Sequence, residues 1–239
     1  MPPQGDEAAG PVEVGQLEPL EYARKAAITV GEDDPTYLRV VNNFVRVSAI
    51  KHTSIGYTVY TDEAISLAIE ALGRRRNRDS ELSGNLAILF TARYQITRNI
   101  KDIENAITNM FQAIRETPGG NLEELSARLS NMANMVAQKY ERTGSKHDVK
   151  DLVGYAQTAV SKTPEGSRSL SGRLSICSKA LLTQYERIGE PDTLEEAITV
   201  ARRSLDLTRA GKTGLVGKEA SNSVKVTPPL TGHPLTGHL

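Results

Sequence analysis

The chain has 239 residues, with 29 Lys and Arg against 29 Asp and Glu and a formal net charge of zero. That balance excludes the long-range attraction to nucleic acid or an anionic membrane that an excess of basic charge provides. One cysteine excludes an intramolecular disulfide framework and suits a reducing compartment, and no run of about 18 apolar residues occurs, as a typical membrane span requires.

The N-terminal segment 1–16 is acidic, rich in Pro and Gly and without the apolar stretch of a signal peptide, so it reads as disordered. A cytoplasmic protein is the expectation, with the nucleus left open. Next comes YARKAAITV (22–30), which parallels VARRSLDLT (200–208) and predicts a helix ahead of the first complete repeat. The repeat itself is set by two tyrosines, Tyr140 in KYERTG and Tyr185 in QYERIG, 45 residues apart. Tyr94 stands 46 residues before Tyr140, and His52 a further 42 before that.

Upstream of each anchor an apolar series recurs at spacings of 4, 3, 4 and 4, which keeps one side of a helix apolar for four turns. The series is Tyr37, Val41, Phe44 and Ser48 in the first unit, and Leu125, Leu129, Met132 and Val136 in the third. In the fourth it is Leu170, Leu174, Cys177 and Leu181. The second unit keeps only Leu86 and Phe90, with Asp79 and Ser83 in the outer places. These series define a helix A whose core includes Phe44, Leu86, Phe90, Met132, Val136, Tyr140, Cys177, Leu181 and Tyr185.

Thirteen residues after the anchors stand Ile65, Ile107, Val153 and Ile198, each within a second apolar series that predicts a helix B. Thr193 and Glu196 have capping-box spacing at one start, with Asp192 beside them. Pro118-Gly119-Gly120 and Pro164-Glu165-Gly166 break the chain after helix B. The outcome is an all-α chain of about four antiparallel helix pairs with a period near 45 residues, spanning 17–209. One pair cannot bury both of its faces, whereas stacked pairs share a continuous core. Beyond Arg209 the period is lost: 210–226 reads as a flexible linker, and 227–239 as the truncated start of a further repeat. Such an end would leave an apolar edge uncapped.

The stretches NMANMVAQKYERTGSKHDVKDLVGYAQTAVSKTPEG and QYERIGEPDTLEEAITVARRSLDLT resemble the long tetratricopeptide-like repeats of fungal proteins, which often accompany STAND (NB-ARC) or CHAT domains. The resemblance covers roughly residues 20–209; it is specific in the third and fourth units and weaker in the first, where KHTSIG replaces the tyrosine version. It implies a right-handed αα superhelix that binds other proteins and no catalytic role for any repeat residue. Neither companion domain is present in this sequence.

Candidate sites outside the repeat are few. Cys177 occupies a position held by Phe44, Leu86 and Met132 in the other units and reads as a core residue. His52 and His147 belong to the repeat, and His233 and His238 to a short duplication in the tail, so no metal site is expected. GKT (211–213) lacks the upstream glycine and the strand of a phosphate loop, since position 206 is Asp206. RRRNR (74–78) reads as the cationic end of a helix B. No cofactor is expected.

The face of helix A opposite its apolar stripe carries Asn43, Asn85 and Asn131 at one repeat position and Arg46, Asn134 and Lys179 at another, with Ile176 and Ile88 in the remaining places. Carboxamides both donate and accept, and such a ladder can read a peptide; an ordinary solvated helix face would also be polar. The reading is a non-catalytic adaptor that holds a protein or peptide partner on the concave face of its solenoid. The alternative is a truncated regulatory fragment of a STAND or CHAT-type protein that self-associates with related repeats.

Overall fold

A computed structural model of the chain describes residues 18–55, 58–74 and 79–223. The expectations for 1–16, for the arginine run beyond Arg74, for 224–226, for 227–239 and for the His52 side chain fall outside the described residues. All regular structure among the described residues is helical. The order is α1 (Glu18–Thr29), α2 (Tyr37–Ile55), α3 (Thr58–Arg74), α4 (Ser80–Thr97), α5 (Ile100–Glu116), α6 (Leu122–Thr143), α7 (Lys146–Lys162), α8 (Leu170–Ile188) and α9 (Pro191–Ser223).

Helices α4 and α5, α6 and α7, and α8 and α9 pack most extensively, and each pair touches the next through α5 with α6 and α7 with α8. Short turns join the members of each pair, so chains that stay packed along their length must run in opposite directions. Helices A of neighbouring pairs also touch one another, α2 with α4 and α6 with α8. One apolar cluster runs from Leu20 on α1 to Ala197 on α9. Phe44, Leu86, Phe90, Met132, Val136, Cys177 and Leu181 are all buried. Tyr94 is buried too, whereas Tyr140 and Tyr185 are only half-buried.

The YERTG motif closes a helix. At the end of α6 Gly144 adopts the left-handed conformation (φ 65°), and its N–H donates to the Tyr140 carbonyl; Gly189 (φ 80°) does the same to Tyr185 after α8. A residue without Cβ takes that conformation without strain, which is why the motif ends in glycine. After α4 the same bond, to Tyr94, is made by Arg98 at φ 54°, the one non-glycine residue with positive φ among those described. Relief of left-handed strain is worth about 1 kcal/mol, and loss of the Arg98 guanidinium over the Tyr94 ring (5.8 Å) costs about half of that. Arg98→Gly is therefore expected to raise the melting temperature by about 1–2 °C, as calorimetry would show.

Helix B ends as its prolines dictate. Thr117 and Thr163 are extended (ψ 125° in both), the conformation favoured before Pro118 and Pro164, so α5 stops at Glu116 and α7 at Lys162. Two expectations are corrected by α9. It starts at Pro191, whose fixed φ suits the first helical position, so Thr193 lies within the first turn and is not its cap. It also has no proline after Thr208 and continues to Ser223 through the segment expected to be a linker.

Candidate functional site

The face of α2, α4 and α6 opposite their buried stripe holds two depressions. The first, an open groove of about 230 Å³, is lined by Ile88, Thr91 and Gln95 from α4 and by Asn131, Asn134 and Gln138 from α6. Ala49 of α2, with Ala92 and Met135, supplies the rest of its wall. Ile88 is 39% exposed, large for an isoleucine flanked by buried Ala87 and Leu89. Asn131, Asn134 and Gln138 fall on one stripe of α6, at spacings of three and four, and Ile88 and Gln95 lie two turns apart on α4. The lining contains four carboxamides and no charged group. Gln138 reaches the Asn134 carbonyl at 3.5 Å, a weak contact that leaves its amide able to serve a ligand.

The second depression, about 910 Å³, holds Asn43 and Arg46 together with Asn42, and is bordered by α1 and the start of α4. Several of its polar groups are engaged with one another or with Asn85. Arg46 donates to the Asn43 oxygen at 2.9 Å, Asn85 to the Asn42 oxygen at 2.8 Å, and Asn42 to Glu81 at 2.9 Å. Of the six candidate partner-binding residues, then, Asn131 and Asn134 share the first groove, Asn43 and Arg46 share the second, and Asn85 bridges to α2. Lys179 is exposed on α8 and lines neither.

Gln95 and Gln138 were absent from the ladder read in the sequence. The two positions followed there end one turn short of Gln138, so extending the same stripe by four residues would have found it. More important omissions are two charged devices that recur at the repeat spacing. Between pairs, Arg128 of α6 is buried and donates to the Ala113 carbonyl (2.7 Å) and the Thr117 hydroxyl (2.6 Å) at the end of α5, and it also pairs with Glu124. Arg173 of α8, equally buried, donates to Thr163 (3.1 Å) at the end of α7 and to the Glu123 carboxylate of α6 (2.9 Å). A guanidinium at a helix C-terminus meets carbonyls that no backbone N–H reaches and the negative end of the macrodipole. The bond from Arg173, with others from Ser169 and Ser167, holds the Glu123 carboxyl below the usual carboxylate range.

Within pairs, a buried aspartate in the first turn of helix B ties down the end of helix A. Asp102 accepts from Arg93 (2.6 Å) and Thr97 (3.1 Å), and Asp148 from Lys139 (3.0 Å) and Thr143 (3.1 Å). The lysine and threonine of KYERTG are thus the two donors of a clamp. The fourth pair has Gln184, Ile188 and Thr193 at these places and lacks it.

Cys177 is 3% exposed, and burial pushes its thiol up to about 11, with Glu196 adding to the shift. Since its ordinary value is 9.0, the unfolded chain releases this proton first, and the contribution of Cys177 to stability falls as the pH rises from 9 to 11. We expect a thiol reagent at pH 8 to label the native chain at least tenfold more slowly than the unfolded one; equal rates would contradict the burial. Among the described residues no group of three or more His, Cys, Asp and Glu could hold a metal ion. None of the described helices is long and apolar enough to cross a membrane.

No family model matches the chain, and no curated protein does. Among solved structures it is similar to the DHF58 filament, with 15% identity and a TM-score of 0.40 over 84% of this chain and 95% of the other. It is also similar to BtubC (BKLC) from P. vanneervenii, with 15% identity and a TM-score of 0.31 over 94% of this chain and 96% of the other.

Proposed function

We propose that the chain is a non-catalytic adaptor: a right-handed, TPR-like αα superhelix that holds a protein or peptide partner against the concave surface formed by α2, α4 and α6. The observation that carries this reading is the uncharged groove in which Gln95, Asn131, Asn134 and Gln138 surround Ile88. Carboxamides that donate and accept together match the peptide group, and an exposed isoleucine gives an apolar side chain somewhere to sit. An absence of charged lining favours backbone amides and neutral side chains over a terminal carboxylate. The stacked, single-core arrangement supports a rigid display of that surface. A cytoplasmic setting goes with the reading.

The test is quantitative capture of partners from cell extract on immobilised wild-type chain and on Ile88→Ala/Asn131→Ala/Asn134→Ala. All three positions are exposed or half-buried, so the variant keeps its helicity, and loss of the captured partner reports on the groove.

A further inference from the structure

The two arginine clamps show what covers the outer stripe of a helix B in this protein. On α5 that stripe is Ile103, Ile107, Met110 and Ile114, and on α7 it is Val149, Val153, Ala156 and Val160. Ile103 and Met110 are 0% and 1% exposed, Val149, Val153 and Ala156 no more than 7%, and Ile107, Ile114 and Val160 are half-buried, with α6 packed against α5 and α8 against α7. The same places on α9 are Leu194, Ile198, Ala201 and Leu205. Ile198 is 42% exposed, Leu205 50%, and Ala201 is exposed as well. The hydrophilic half of the clamp is repeated too: the Thr208 hydroxyl donates to the Ser204 carbonyl at 2.9 Å, as Thr117 does to Ala113 (2.8 Å) and Thr163 to Ala159 (2.7 Å). Thr117 and Thr163 each accept an arginine N–H from the covering helix; no such donor is bonded to Thr208 among the described residues.

We propose that the Leu194–Leu205 stripe of α9, with Thr208 at its end, docks an amphipathic helix of a partner protein carrying the pattern Glu-Leu-x-x-Arg-Leu. The leucines fill the apolar stripe and the arginine donates to the Thr208 hydroxyl. Since α9 continues past Thr208, that hydroxyl rather than an open carbonyl is the arginine's acceptor. Arg168 stands where the inter-pair clamp of α8 finds Glu123, so the incoming helix must bring its own carboxylate. In α6 that is Glu124, four residues before Arg128, within the sequence ELSARL (124–129).

The chain's other segments fit the stripe poorly. Residues 224–239 contain no arginine and three prolines, Pro228, Pro229 and Pro234. A second copy's helices with Leu-x-x-Arg-Leu, α6 and α8, are already buried in their own core. Its first helix, α1, corresponds to a helix B and does not carry the pattern.

The probe is a fluorescently labelled peptide of residues 121–138, added to the intact chain and followed by anisotropy. Saturable binding is expected, weakened about tenfold or more by Arg128→Ala in the peptide and by Ile198→Asp in the protein. Thr208→Val, which spares the apolar stripe, should weaken the native peptide but not the Arg128→Ala peptide. Asn131→Ala/Asn134→Ala should leave binding unchanged, which separates this surface from the groove. Absence of saturable binding would overturn the proposal, as would equal binding of the two peptides. So would a dimer in sedimentation that Ile198→Asp dissociates, because a second copy would then be the occupant. Binding gained only on removal of 224–239 would overturn it in favour of the chain's own tail.

Discussion

Arg128→Ala is expected to lower the free energy of unfolding by about 3 kcal/mol, the largest stability effect foreseen for a charged residue of this chain. Its side chain is 7% exposed and makes three hydrogen bonds, to Ala113, Thr117 and Glu124. Each charge-assisted bond is worth about 1.5 kcal/mol or more, but part of that is recovered when the freed groups meet water. Glu124, 39% exposed, is easily resolvated, so the cost is not that of a stranded buried charge. What remains is a void between α5 and α6 and the loss of the arginine on the Ala113 carbonyl.

Arg128→Met fills that void without the bonds and should cost about 1 kcal/mol. For a chain of this length the alanine variant should melt about 6–12 °C lower. A double variant with Thr117→Val should lose less than the sum of the single changes, because both report on the same contact. Equal stability of wild type and alanine variant would show that the clamp is ornamental.

The apolar spacing made the helices legible. Four turns of Leu, Val, Met and Phe at the repeat spacing showed where helix A packs, and Pro118-Gly119-Gly120 and Pro164-Glu165-Gly166 showed where helix B stops. Charged residues inside those stripes were harder to see, since a pattern search treats Arg128 or Asp148 as surface. Yet Arg128 with Arg173, Thr117 with Thr163 and Asp102 with Asp148 recur at 45 or 46 residues, and recurrence of a charge beside an apolar stripe is the signal that could have found them. The end of α9 departs from its expectation for the opposite reason. Glycines at 211, 214 and 217 suggested a linker, but no proline follows Thr208 to force an extended residue, and the helix continues.

The candidate face was legible only in part. Asparagines at one repeat position pointed to the face of helix A that holds the two depressions, but position could not reveal that Asn85 and Asn43 are engaged by Asn42 and Arg46. Side chains bonded to neighbours must break those bonds to serve a ligand, which offsets the gain. Asn131 and Asn134 have no such ties to α2 or α4 among the described hydrogen bonds. The proposed partner site is therefore one groove between α4 and α6 rather than the ladder as a whole.

Removing Ile88, Asn131 and Asn134 together should weaken partner binding about a hundredfold. Each truncation forfeits about 1 kcal/mol of contact in a site where apolar and polar contacts act side by side. The full set should remove the partner from a washed column while circular dichroism stays unchanged. Asn43→Ala/Lys179→Ala, outside the groove, should retain it. The most direct measurement is parallel capture on wild type, the triple variant and this control, with each recovered protein quantified by mass spectrometry. A partner enriched by wild type and control and lost by the triple variant is the expected result. Equal recovery on all three, or no protein enriched over an unrelated helical bait, would contradict it.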